Sequence, residues 1–128
     1  MKREAQWIQD ALDAASRIGG YTDSMDLETY LSDQLRQDAV ERCFITIAEA
    51  LVRLRDHAPE LARQIPRLQR IVAFRNFLAH EYDKADPEMI WESVQRDLPE
   101  LRHQLRSLLA AAEKKPEPDD SPDFGPGM

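Results

Sequence analysis

An all-α fold is the class this sequence predicts, and three observations carry it. Apolar residues recur at three- and four-residue spacing over most of the 128 residues, the strict alternation of a half-buried strand is missing, and 42% of the side chains are hydrophobic against 32% charged. That length suits one core. With Cys43 as the sole cysteine, no intrachain disulfide can brace it.

The elements follow in order. Ile8, Ala11, Leu12, Ala15 and Ile18 form one stripe, which predicts a first helix over about residues 4–18, stopped by Gly19-Gly20. Thr22, Asp23, Ser24 and Asp26 favour turns and caps, so a loop with one short turn at 27–31 is expected next. Leu35, Ala39, Val40, Cys43, Ile47, Leu51 and Leu54 then keep helical spacing over about 32–56, the longest helix, ending before Ala58-Pro59. Pro59 and Pro66 bracket a connection, and Pro66 fits the first turn of a third helix whose Leu68, Ile71, Val72 and Leu78 face inward. Asp86 can cap and Pro87 can start the last stretch, with Ile90, Val94, Leu98, Leu101, Leu105, Leu108 and Leu109 on one side. Pro99 inside it predicts a kink or a split. The expectation is an antiparallel bundle of four to five helices over residues 1–112.

Residues 113–128 differ in kind, with four prolines, two lysines against five carboxylates, and Phe124 as the one large apolar side chain before Met128. They are expected to form a disordered acidic tail. The opening residues are polar and no stretch approaches the ~18 apolar residues of a membrane span, so the reading is a soluble, cytoplasmic protein without a membrane role. A net charge of −7 argues against holding nucleic acid by bulk attraction, and a polyanion would need a local basic cleft.

Several chemistries lack their residues: there is no Gly-rich phosphate loop, no Cys/His ligand spacing and no Gly-x-Ser-x-Gly elbow. What remains is Arg75-Asn76-Phe77-Leu78-Ala79-His80-Glu81-Tyr82, a dense polar group at the end of an apolar helix. Asn76 and His80 share a helical face, Arg75 and Tyr82 nearly eclipse, and Arg75 and His80 stand roughly 140° apart on an ideal helix. Three arrangements would unite the last pair: a helix loosened near His80, a bent arginine, or completion across a dimer. A loosened end together with a dimer is the expectation. An arginine and a histidine without a metal ligand set suit cleavage of an RNA phosphodiester, whose own 2′-hydroxyl is the nucleophile. Histidine, with an ordinary pKa of about 6.5, moves protons near neutrality, and the guanidinium fork holds the phosphoryl group. From these two residues alone, the alternative is an ion-paired arginine and a histidine satisfying helix-end carbonyls.

The pattern Arg75-Asn76-x-x-x-His80-x-Tyr82 resembles the Arg-x4-His-x-Tyr signature of the HepT-like toxins of the HEPN superfamily. Asp38-Ala39-Val40-Glu41-Arg42 with Ile47-Ala48-Glu49-Ala50 resembles that family's long second helix, and Trp91 through Asp97-Leu98-Pro99-Glu100-Leu101 its last one. The likeness spans about residues 4–112. One departure is Pro66-Arg67, where members often carry Pro-Trp. The resemblance implies a two-fold dimer acting as a metal-independent endoribonuclease toxin that needs no cofactor. Arg75 would stabilise the phosphate, His80 would act as acid or base, and Asn76 would support them. It also implies that an MntA-type nucleotidyltransferase antitoxin attaches AMP at Tyr82, and that the substrate is a tRNA or mRNA. A larger hetero-oligomer with the antitoxin is compatible with this. The alternative is a non-catalytic subunit that binds nucleotide or substrate for a nucleotidyltransferase, and a third reading is a plain dimer scaffold. His57 and His103 read as solvated, Cys43 as packed, and Trp7 and Trp91 as core or dimer-seam residues. Glu49 reads as solvated or ion-paired, with the option of facing the motif helix.

Overall fold

The computed structural model describes the backbone of residues 2–80 and 86–114, and among these residues every regular element is helical. Seven helices follow one another: α1 (Lys2–Thr22), α2 (Leu27–Leu31), α3 (Gln34–His57), α4 (Pro59–Ala62), α5 (Leu68–His80), α6 (Pro87–Arg96) and α7 (Leu98–Lys114). The expected four to five become seven because the 27–31 turn and the Pro59 connection each close a short helix, and because the last stretch splits.

Local chemistry accounts for most boundaries. Asp26 accepts from the Thr29 amide and starts α2, Asp33 accepts from the Arg36 amide and starts α3, and Asp86 accepts from the Glu88 amide with Pro87 following. The predicted split falls at Asp97: Pro99 occupies the second position of α7, where its missing N–H has no helical partner to lose. Pro66 does not sit in a helical turn as expected. It lies in a turn before α5, with the Leu68 amide donating to the Ile65 carbonyl.

The first helix departs most from expectation. Gly19-Gly20 do not stop it, and α1 continues to Thr22. The extra turn is held by packing: Thr22 is buried with its hydroxyl donating to the Ile18 carbonyl, and Tyr21 packs against the core. That burial outweighs the ~2 kcal/mol that two helical glycines cost. At Gly19 a Cβ would stand 3.1 Å from Nη1 of Arg102, which places the end of α1 beside the start of α7.

α1 and α3 lie antiparallel, with the ring of Trp7 near the start of α1 packed at a tilt 5.0 Å from that of His57 at the end of α3. α7 packs along α1 in the opposite sense, from Arg102 beside Gly19 back towards the start of α1. α5 packs on the other flank of α3, where Phe74 meets Phe44 edge-on at 5.2 Å. The core is Ile8, Ile18, Tyr30, Phe44, Ile47, Leu51, Leu54, Ile90, Leu101 and Leu105, all fully buried. Ile90, Val94, Leu98, Leu101, Leu105 and Leu108 face inward as predicted, with Leu109 partly buried. Leu35 does not: it is 82% exposed, and the inward position at that end of α3 belongs to the buried Gln37, whose amide donates to the Tyr30 and Leu31 carbonyls. α7 runs to Lys114, two residues beyond the expected boundary at 112, and the tail expectation for 115–128 lies outside the described residues. Among the described residues no helix is long and apolar enough to cross a membrane.

Candidate functional site

α5 carries the polar motif, and its neighbours explain how it is held. Ile71 and Leu68 are buried, Val72, Phe74 and Leu78 pack against the core, and the exposed Asn76 and Phe77 fall on the outer side. Arg75 lies between these faces with its side chain 35% exposed. Its Nη1 donates to Asn76 Oδ1 at 3.1 Å, and its Nη2 stands 3.8 Å from Glu49 Oε2 on α3. Its Nε is buried and makes no hydrogen bond among the described residues.

This guanidinium is therefore loosely held. The Glu49 pair is long and partly solvated on both sides, and such pairs contribute at most about 1 kcal/mol. A phosphate oxygen brought to the solvent-facing part of this guanidinium would gain charge-assisted hydrogen bonds without breaking a strong ion pair. The option that Glu49 faces the motif helix is what the structure shows. It also satisfies the plainer reading of an ion-paired arginine, so the pair does not by itself separate the two.

The backbone stays helical through His80. The expected loosening near His80 does not reach back into α5, and the part of it that would follow His80 lies outside the described residues. On one chain, five residues of regular helix keep the two positions about 140° apart. The His80 side chain and all of Tyr82 lie outside the described residues, as does the segment 81–85.

Beside the motif, a groove of about 410 Å³ runs between α5 and α6, lined by Ile71, Phe74, Phe77 and Met89 among others. Phe77 and Met89 are 37% and 40% exposed, an unusual presentation of large apolar side chains next to a polar motif.

Sequence reasoning missed the group that anchors this helix. Asp97, 5% exposed at the α6–α7 break, accepts from Arg67 Nη1 at 2.8 Å and lies 3.3 Å from both Arg70 Nη2 and Ser93 Oγ. Arg67 Nε also donates to Glu100 Oε2 at 2.8 Å. The hydrogen bond to Glu100, with the charges of Glu100 and Asp97, raises the Arg67 pKa, so the guanidinium stays charged. Arg67 is the residue that departs from the Pro-Trp pattern, and here it bridges α5 to the start of α7. The signal available in sequence was an acid directly ahead of a Leu-Pro helix start, which does not reveal its partners thirty residues away.

The remaining candidates behave as read. His57 and His103 are exposed, and His57 Nδ1 lies 3.0 Å from the Arg53 carbonyl oxygen. Cys43 is buried. Trp7 and Trp91 are half-buried against the core, the Trp91 ring packed at a tilt 5.1 Å from that of Tyr30. No group of three or more His, Cys, Asp or Glu side chains that could hold a metal ion occurs among the described residues.

Comparison with known proteins gives this geometry a context. The family model described as Ribonuclease HepT-like matches residues 11–108. A probable ribonuclease HepT of Thermococcus cleftensis is 28% identical over 109 residues, 84% of this chain and 98% of the relative. Two candidate RNases of Methanocaldococcus jannaschii are 26% and 25% identical, covering 85% and 87% of this chain and 93% and 91% of their own lengths. No solved structure gives a significant match.

Proposed function

The chain belongs to the HepT-like ribonuclease family, and from that premise we propose that it is a metal-independent endoribonuclease in which Arg75 and His80 act on the scissile phosphate. The observation that carries the assignment is the state of Arg75: partly exposed and loosely paired, on the helix that continues unbroken to His80. The relatives' names as ribonucleases support the same chemistry.

In this reading the substrate's 2′-oxygen attacks phosphorus, the bond to the 5′-oxygen breaks, and a 2′,3′-cyclic phosphate and a 5′-hydroxyl end result. His80 exchanges the protons of that step and Arg75 holds the phosphoryl oxygens as their charge grows. Because regular helix keeps the two positions apart on one chain, the working site draws on two copies meeting at α5 across a two-fold axis. The exposed Phe77 and Met89 beside the motif support such a seam. Asn76, bonded to the guanidinium, orients Arg75. Two copies also double the local positive charge, which answers the objection posed by the net −7.

The biological setting we propose is a toxin–antitoxin pair in the cytoplasm, with a tRNA or mRNA as substrate. A nucleotidyltransferase antitoxin would neutralise the toxin by attaching AMP to Tyr82, where the added phosphate competes with RNA for Arg75. The test is direct. Arg75→Ala and His80→Ala are each expected to abolish RNA cleavage while circular dichroism and dimer mass stay unchanged, and cleavage by the unaltered chain is expected to persist in chelator. Cleavage surviving both substitutions would remove the proposed roles.

A further inference from the structure

Away from the motif, a concavity of distinct chemistry lies where α3 ends and α5 begins. It is a groove of about 380 Å³ whose rim carries Arg55 and Arg63 and whose apolar lining includes Ile65, Pro66 and Leu68. No carboxylate lines it among the described residues. Arg55 has an acid nearby, Asp56 at 3.5 Å, but both side chains are about half exposed and such a contact holds little. The groove is thus a cationic rim over a greasy floor, suited to an acidic chain with an aromatic anchor.

The chain itself supplies such a segment at the same end of the bundle. Arg102, near the start of α7, lies beside Gly19 near the end of α1, and α7 then packs back along α1. Lys114 therefore comes out beside the start of α1, and Trp7 there packs against His57 at the end of α3. The residues that follow include Glu117-Pro118-Asp119-Asp120-Ser121-Pro122-Asp123-Phe124, with four carboxylates and one aromatic ring. Ten residues from Lys114 to Phe124 span up to roughly 33 Å when extended. Crossing from α7 past α1 to α3 takes about 20 Å, two interaxial spacings. Prolines hold such a segment extended and reduce the entropy lost on docking.

We propose that residues 120–124 of this same chain dock in the Arg55/Arg63 groove, the carboxylates of Asp120 and Asp123 against the two guanidinium groups and Phe124 on the floor formed by Ile65, Pro66 and Leu68. The groove also includes Gln69, so the docked segment covers the first turn of the helix that carries Arg75. This contact is independent of the ribonuclease reading and stands or falls without it.

A nitroxide placed through Ser121→Cys on the full chain tests it, since Cys43 is 5% exposed in the core and escapes labelling. The amide signals of Ile65, Leu68 and Gln69 are expected to lose most of their intensity. They are expected to recover in Arg55→Glu/Arg63→Glu, and also in the unaltered groove at about 1 M salt, where the screening length falls to ~3 Å. Undiminished signals overturn the proposal, as does a loss that persists at high salt. Loss in an isotope-labelled chain without nitroxide, mixed with the spin-labelled chain, overturns it too, because the segment then sits on a second copy.

Discussion

Removing the Asp97 carboxylate with Asp97→Ala is expected to destabilise the fold by about 3 kcal/mol, and the figure follows from the partners left behind. Breaking a buried ion pair by deleting one member costs about 3–5 kcal/mol when the other charge is stranded. Here stranding is incomplete. Arg70, 62% exposed, returns to water, while Arg67, 25% exposed, keeps Glu100 at 2.8 Å. That places the cost at the low end of the range. Arg70→Ala should change stability by less than about 1 kcal/mol, as exposed pairs do. Arg67→Ala and Asp97→Ala share one interaction, so the double variant should be less unstable than the summed singles by about 1–3 kcal/mol. Urea unfolding followed by far-ultraviolet circular dichroism would read these values from shifted midpoints at constant slope. A loss below about 1 kcal/mol for Asp97→Ala, or strict additivity with Arg67→Ala, would refute the view that this carboxylate clamps α5 to the α6–α7 junction.

Gly20 lies in a helix with nothing within 4 Å of where a Cβ would stand, so Gly20→Ala should stabilise by about 1 kcal/mol and raise Tm by about 3–6 °C; a loss of stability would return Gly20 to a helix stop. Burial, and then the neighbouring Asp38, pushes the Glu41 carboxyl above its ordinary pKa, so the folded chain holds that proton more tightly than the unfolded one. Its contribution is fully present in acid and is lost as pH rises through the folded pKa, so Glu41→Gln should raise Tm at pH 7 and leave it unchanged below about pH 4; an equal effect at both would exclude the linkage. Co-expression with the proposed nucleotidyltransferase partner should raise the mass of the Tyr82 peptide by whole adenylate units and leave a Tyr82→Phe chain unmodified, whereas an unmodified peptide from an inhibited complex would mean neutralisation by contact alone.

What the sequence determined by itself was most of what neighbours along the chain govern. Helical period placed α3 and the α6–α7 face, Asp86-Pro87 marked the start of α6, Pro99 marked the split, and the Arg75 to Tyr82 motif pointed to the family that the match over residues 11–108 then established. These signals are local because caps and prolines act within a turn, and a periodic stripe needs only its own helix to show itself. Tertiary structure decided what depends on distant partners. A buried turn at Tyr21 and Thr22 carried α1 through two glycines, Gln37 displaced Leu35 from the inward face, and Glu49 and the Arg67–Asp97 pair acquired partners about thirty residues away. Local propensities are worth fractions of a kcal/mol to about 1 per residue, whereas burying a large apolar side chain is worth about 1.5–3 and leaving an enclosed charge unpaired costs several. Where the two disagree, packing prevails.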